Sequence, residues 1–142
     1  MALETSVDID ARGHEHVTAA HASTLEVTSD DFLTPAGDCI VGIEADAVPA
    51  EFPPAVVEAC QSAGTTITID LQAGGHTDRV TARGDPELTF ASKRSMVVRT
   101  SDYIDDRTVA VGADAAAADL DRALIDALAD GATLDMTFAI QD

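Results

Sequence analysis

The chain has 142 residues, 46% of them hydrophobic, with 26 acidic side chains against eight basic ones and a formal net charge of −18. That length suits one domain spanning residues 1–142, and the apolar content excludes a disordered chain. A single lysine, Lys93, and seven scattered arginines exclude a duplex-binding protein, which needs a clustered basic face to neutralise phosphates.

The acidity is carried by 19 Asp and 7 Glu spread along the chain, so it reads as a solvated surface. Such a surface repels itself in dilute buffer. At about 0.1 M salt the Debye length is roughly 10 Å and at 1 M about 3 Å, so the expected setting is the high-salt cytoplasm of a halophile. The amino-terminal MALETSVDID has neither a basic patch nor a signal-length apolar run, and no segment approaches the roughly 18 apolar residues of a membrane span. A soluble cytoplasmic protein is expected, with no nucleic-acid or membrane partner. Cys39 and Cys60 are then thiols in a reducing compartment.

In chain order, Val7, Ile9 and Ala11 alternate with Asp8, Asp10 and Arg12, the period-two pattern of a half-buried strand. Strands follow at Thr24 to Thr28 and Cys39 to Glu44, the second apolar on both faces and therefore expected at the centre of a sheet. A helix is expected from Pro54 to Ala63, with proline in its first turn, Cys60 on its inner face and Gly64 at its stop. Ile67, Ile69 and Leu71 begin a strand that Gly74-Gly75 turns into a hairpin with Thr77 to Arg83. Short strands are expected at Glu87 to Phe90, Met96 to Ser101 and Thr108 to Val111. A second helix runs from Ala115 to Asp130, capped by Asp114, with Ala117, Leu120, Leu124 and Leu128 in one stripe. Leu134 to Ile140 closes the chain as a strand. No internal repeat is visible in the residues. About nine short strands separated by turns, with two packed helices, predict a mainly β (α+β) fold, an antiparallel sandwich or barrel.

Three features could carry chemistry. His14, His16 and His21 cluster directly after the first strand. If that strand continues past Gly13, His14 and His16 share a face, and His14 with His21 are candidate ligands for a divalent metal, although a third donor must come from elsewhere. His14 and His21 equally serve as hydrogen-bonding loop residues. Asp38 and Cys39 open the third strand, where Cys39 is either a buried small hydrophobe or a nucleophile with His14 or His21 as base. Arg99, Ser101 and Asp102, followed by Arg107, form a polar loop suited to anchoring a carboxylate or phosphate, or to neutralising Asp102, Asp105 and Asp106. There is no phosphate-cradling glycine loop, no Cys-x-x-Cys and no His-Glu-x-x-His.

Arg12-Gly13-His14, His21, Thr24-Leu25-Glu26, Gly37-Asp38-Cys39-Ile40, Gly84-Asp85-Pro86, Arg99-Thr100-Ser101-Asp102 and Arg107-Thr108 stand in an order that resembles the archaeal family called domain of unknown function 371, over nearly the whole chain. His16 departs from the family pattern, which more often has an amide there. The resemblance implies a jelly-roll type of β-sandwich and an archaeal origin, and brings no activity with it. Three readings of function follow. The first is a small-ligand or metal-binding module with a His/Asp/Cys/Arg pocket. The second is an enzyme on the same pocket, by metal-assisted hydrolysis or a cysteine nucleophile. The third is an interaction subunit with exposed Leu33, Phe52 or Tyr103. The oligomeric state is open.

Overall fold

The computed structural model describes residues 6–141; Met1 to Thr5, half of the amino-terminal segment read above, lie outside them. Eight strands form two four-stranded sheets. The first contains β1 (Ser6–Arg12), β4 (Thr66–Ala73), β5 (His76–Arg83) and β8 (Thr133–Gln141) in the order β1-β8-β4-β5, all antiparallel. The second contains β2 (Thr24–Thr28), β3 (Ile40–Gly42), β6 (Ser95–Arg99) and β7 (Thr108–Ala110) in the order β3-β2-β6-β7. Helices α1 (Pro54–Cys60) and α2 (Arg122–Ala129) pack beside them.

The inner faces follow the alternation of the sequence. Ile9, Ile67, Ile69, Leu71, Leu134 and Phe138 are fully buried, as the period-two pattern requires. Phe138 meets the edges of Phe52 and Phe90, with ring centroids 5.3 and 6.4 Å away. The Gly74-Gly75 hairpin forms with both glycines at positive φ, +57° and +81°, the backbone that a two-residue turn between twisted strands demands.

Several expectations are corrected. Among the described residues strands number eight, because Glu87 to Phe90 is a turn and loop. Two pairings, β2 with β3 and β6 with β7, are parallel. The doubly apolar segment forms β3 at a sheet edge, not its centre. Its two buried faces come from the seam between the sheets, where Ile43 bridges Arg12 and, at the opposite seam, Val111 bridges Arg83. Each seam is one bridge, so the sheets stay open and do not close into a barrel. α1 stops at Cys60, and Ala63 is exposed. The second helix is not continuous from Ala115. A 3-10 turn at Ala117–Asp119 ends on extended Leu120, and α2 starts afresh behind Asp121, whose carboxylate accepts the Ala123 N–H at 2.8 Å.

The molecule also contains an internal pseudo-two-fold, which the sequence did not reveal. Exchanging β1 with β5, β2 with β6, β3 with β7 and β4 with β8 reverses the order of both sheets and leaves their pairing unchanged. The same 3-10 turn and helix precede β4 and β8. Asp46 accepts from Asp10 N–H at 3.0 Å, and Asp114 accepts from Thr81 N–H at 3.0 Å. Glu51 accepts from Val48 N–H and Asp119 from Ala116 N–H. Even the unusual positive φ values match, Ala19 (47°) with Phe90 (52°) and Glu44 (55°) with Gly112 (60°).

Candidate functional site

In the second sheet, Leu25, Val27, Met96 and Val98 turn into the core, and strand alternation leaves Thr24, Glu26, Val97 and Arg99 on the opposite face. The ladder pairs Thr24 with Arg99 and Glu26 with Val97, and the parallel edge strands bring Ile40 beside Glu26 and Thr108 beside Val97. Cys39 and Arg107, the residues just before β3 and β7, flank this face.

A continuous polar cluster results. The Cys39 thiol donates to Glu26 Oε1 at 3.4 Å, and Arg107 Nη1 lies 3.7 Å from the same oxygen. Arg107 Nη2 and Arg99 Nη2 both donate to Asp105 Oδ2, each at 3.1 Å. Arg99 Nε donates to Thr108 Oγ1 at 2.9 Å, and the Tyr103 ring covers its guanidinium with the centroid 4.9 Å from Cζ. Asp105 Oδ1 accepts the Arg107 N–H and the Thr108 hydroxyl. The Arg99 side chain is 11% exposed and that of Arg107 46%, so one guanidinium is a floor and the other a rim.

The electrostatics separate the cluster's acids from its thiol. Burial resists ionisation of Asp105, but the hydrogen bonds from Arg107 and Thr108 and the charge of Arg107 outweigh it, and its carboxyl is brought down to about 2. Burial first, then the charge and hydrogen bond of Glu26, push the Cys39 thiol up to about 11. Burial alone pushes Cys60 up to about 12. Cys39 is therefore a thiol at neutral pH, the reverse of an activated nucleophile.

Of the residues singled out from the sequence, Cys39, Arg99 and Arg107 come together, with Asp38 adjacent in the chain. The histidines do not join them as chemistry. β1 ends at Arg12, so no strand carries His14 and His16 onto one face. His14 Nδ1 accepts the His16 N–H at 3.0 Å and the two rings lie 5.1 Å apart. His21 Nδ1 accepts the N–H groups of Ser23 and Thr24, each at 3.2 Å. In both histidines Nδ1 accepts from backbone N–H groups as a turn cap, and His21 Nδ1 also lies 3.0 Å from Thr24 Oγ1, on the edge of the cluster's face. Among the described residues no three His, Cys, Asp or Glu side chains come together in a way that could hold a metal ion. Ser101 Oγ accepts the Tyr103 N–H, and Asp102 lies exposed on the same loop. Leu33 and Phe52 are buried, and only Tyr103 of the expected apolar trio is exposed. Glu26 and Thr108 were missed as site residues, and Asp105 was read only as an acid for the arginines to neutralise, which they do. Asp105-x-Arg107-Thr108 is an Asx-turn spacing that signals it, and Glu26 is the single acid of β2, between core residues Leu25 and Val27.

Two concavities lie elsewhere, on the outer face of the first sheet. One of about 410 Å³ is lined by Asp70, Asp78, Arg79 and Asp135 among others, and one of about 360 Å³ by Asp8, Asp10 and Asp135. Arg79 already binds Asp70 through two hydrogen bonds of 2.6 and 3.1 Å, and the remaining carboxylates repel anions.

No helix of the described residues is long and apolar enough to cross a membrane. The family model described as "Domain of unknown function (DUF371)" matches residues 9–141. An "Uncharacterized protein MJ0206" from the archaeon Methanocaldococcus jannaschii is 36% identical over 126 residues, covering 89% of this chain and 93% of the relative. The chain belongs to the DUF371 family, as its motifs led one to expect.

Proposed function

We propose that this member of the DUF371 family is a small-ligand-binding module whose site is the Arg99–Arg107 cluster, and that the ligand is a small anion of the carboxylate or phosphate class. One observation carries the reading: two guanidiniums, one nearly buried, converge on a single carboxylate oxygen of Asp105. Convergent guanidiniums are how proteins grip planar or tetrahedral anions. The three hydrogen bonds to Asp105 and Thr108 use a minority of the N–H donors that two arginines carry. In a chain of net charge −18, arginines held together with donors in hand are the chemistry an anion would select. The raised Cys39 thiol and the backbone-bound histidines favour binding over catalysis, and the missing three-donor group favours an organic or inorganic anion over a metal.

The test is a titration of inorganic phosphate and of malonate into protein in molar KCl, followed by the Nε–H signals of Arg99 and Arg107 in ¹H–¹⁵N spectra. Saturable shifts at those two signals are expected with at least one anion, and their loss in Arg107→Ala. Flat signals with both anions defeat the reading.

A further inference from the structure

The pseudo-two-fold extends to single residues. Ala11-Arg12-Gly13 has its counterpart in Ala82-Arg83-Gly84, and Ala45-Asp46-Ala47 in Ala113-Asp114-Ala115. The backbone bonds repeat with them: Glu26 N–H to Cys39 O corresponds to Val97 N–H to Arg107 O, and His21 N–H to Asp38 O to Ser92 N–H to Asp106 O. The two large apolar side chains that are exposed among the described residues, Phe32 and Tyr103, occupy equivalent stations. Different side chains do the same work at others. His14 Nδ1 caps the His16 N–H where Asp85 Oδ1 caps that of Glu87 at 2.9 Å. His21 Nδ1 caps two N–H groups where Ser92 Oγ caps those of Arg94 and Ser95, at 3.1 and 3.2 Å.

We infer that the chain is a tandem duplication of one β-β-β-helix-β unit, and that the Arg99–Asp105–Arg107 cluster is an addition to the second copy alone, reaching across to Glu26 of the first. The counterparts of Arg99, Asp105 and Arg107 are Thr28, Gly37 and Cys39, set by the equivalent ladders and turns. The first copy closes the same turn with none of the three: Ile40 N–H reaches Gly37 O as Thr108 N–H reaches Asp105 O. It does so with Thr34-Pro35-Ala36 as extra residues in its loop. The scaffold therefore has a working version without the cluster, and what one copy has and the other lacks is a feature the fold does not require. The copies differ in charge accordingly. Residues 74–142 hold seven of the eight cations and residues 1–73 only Arg12. The duplication stands on backbone equivalence, while the meaning given to the added arginines rests on the anion-binding reading above.

Two full-length variants test this. The first, His14→Asp with His21→Ser, writes the second copy's caps into the first. It is expected to melt within a few degrees of the parent, whereas His14→Ala with His21→Ala melts clearly lower. Equal losses in the two variants overturn the equivalence of the copies. The second, Arg99→Thr, Asp105→Gly and Arg107→Ser, strips the addition, with serine standing in for Cys39 without a new thiol. It is expected to keep the parent's circular dichroism and slow amide exchange in β2 and β6, and to lose the shifts produced by phosphate or malonate. A variant that unfolds shows the cluster to be structural and overturns the inference. Parent protein that binds neither anion, with both variants folded, defeats the ligand reading and leaves the duplication standing.

Discussion

Gly13 and Gly84 each press against the last turn of a helix: a Cβ on Gly13 would overlap the Leu128 carbonyl at the end of α2, and one on Gly84 the Cys60 carbonyl at the end of α1. Both overlaps are with backbone, which cannot rotate away. Each strand end is also tied to the residue just before the strand that follows the helix, Gly13 N–H to Ala132 O before β8 and Gly84 N–H to Thr65 O before β4, at 2.8 and 2.9 Å. Gly13→Ala and Gly84→Ala are each expected to cost about 2–3 kcal/mol in urea unfolding. Gly64→Ala is the control, because its Cβ would meet only Ser62 Oγ at 3.9 Å, and it should change stability by less than about 1 kcal/mol. Equal effects at all three positions would contradict the contact.

How far the sequence leads is set by the kind of signal. Alternation marked the faces of β1, β4 and β8, because one apolar and one wet face is a local property of each strand. The edge place of β3 was hidden: Val41 and Ile43 are buried by a seam between two sheets, and burial at a seam looks the same in sequence as burial at a sheet centre. The break at Leu120 was hidden because the alanine run before it and Arg122-Ala123-Leu124 after it both satisfy helix propensity. The repeat was hidden because only short stretches, Ala-Arg-Gly and Ala-Asp-Ala, recur as identities, while other equivalences are functional, a His ring for an Asp carboxylate or a Ser hydroxyl, which residue identity does not record. At the site, Cys39, Arg99 and Arg107 were readable as scarce polar residues, but their meeting with Glu26 depends on a parallel pairing that no local pattern encodes.

Cys39 offers a chemical readout of that meeting. With its thiol raised to about 11, it holds on the order of a hundredfold less thiolate at neutral pH than an ordinary cysteine, and alkylation by iodoacetamide should be correspondingly slow. Glu26 raises it through charge and hydrogen bond, so Glu26→Gln is expected to speed alkylation at fixed pH and to shift the pH–rate curve downward. Cys60, fully buried, should stay unmodified in both proteins. An unchanged rate in Glu26→Gln would mean that the two side chains do not share the face.

Asp105 makes stability depend on acid in a definite direction. Its folded pKa, about 2, lies below the unfolded value near 3.9. A depressed carboxyl contributes stability that is complete above the unfolded pKa and is lost as pH falls through the folded one. The difference in melting temperature between the protein and Asp105→Asn should be flat from pH 7 to about 5 and should shrink steadily between roughly 4 and 2. A difference that persists unchanged at pH 2 would show that the arginines do not favour the ionised form.

Asp10 acts with the opposite sign. It stands directly across from Asp135 in the β1–β8 ladder, and the hydrogen bond that its protonated carboxyl donates to Asp135, desolvation and the charges of Asp135 and Asp8 raise its carboxyl above the ordinary value. A raised folded pKa means that holding both groups ionised opposes folding once the pH exceeds the unfolded value. Like charges directly opposite on a sheet are unfavourable for the same reason. Asp10→Asn keeps a partner for Asp135 and removes one charge, so a modest rise in melting temperature is expected at pH 7 in dilute buffer. The gain should fade as the pH drops into the acid range, where Asp10 takes up its proton. It should fade also as KCl rises from about 0.1 to 1 M, since the screening length contracts from roughly 10 to 3 Å. With a net charge of −18, the parent itself should melt higher in molar KCl. A variant whose advantage is independent of salt would place its origin outside the carboxylate pair.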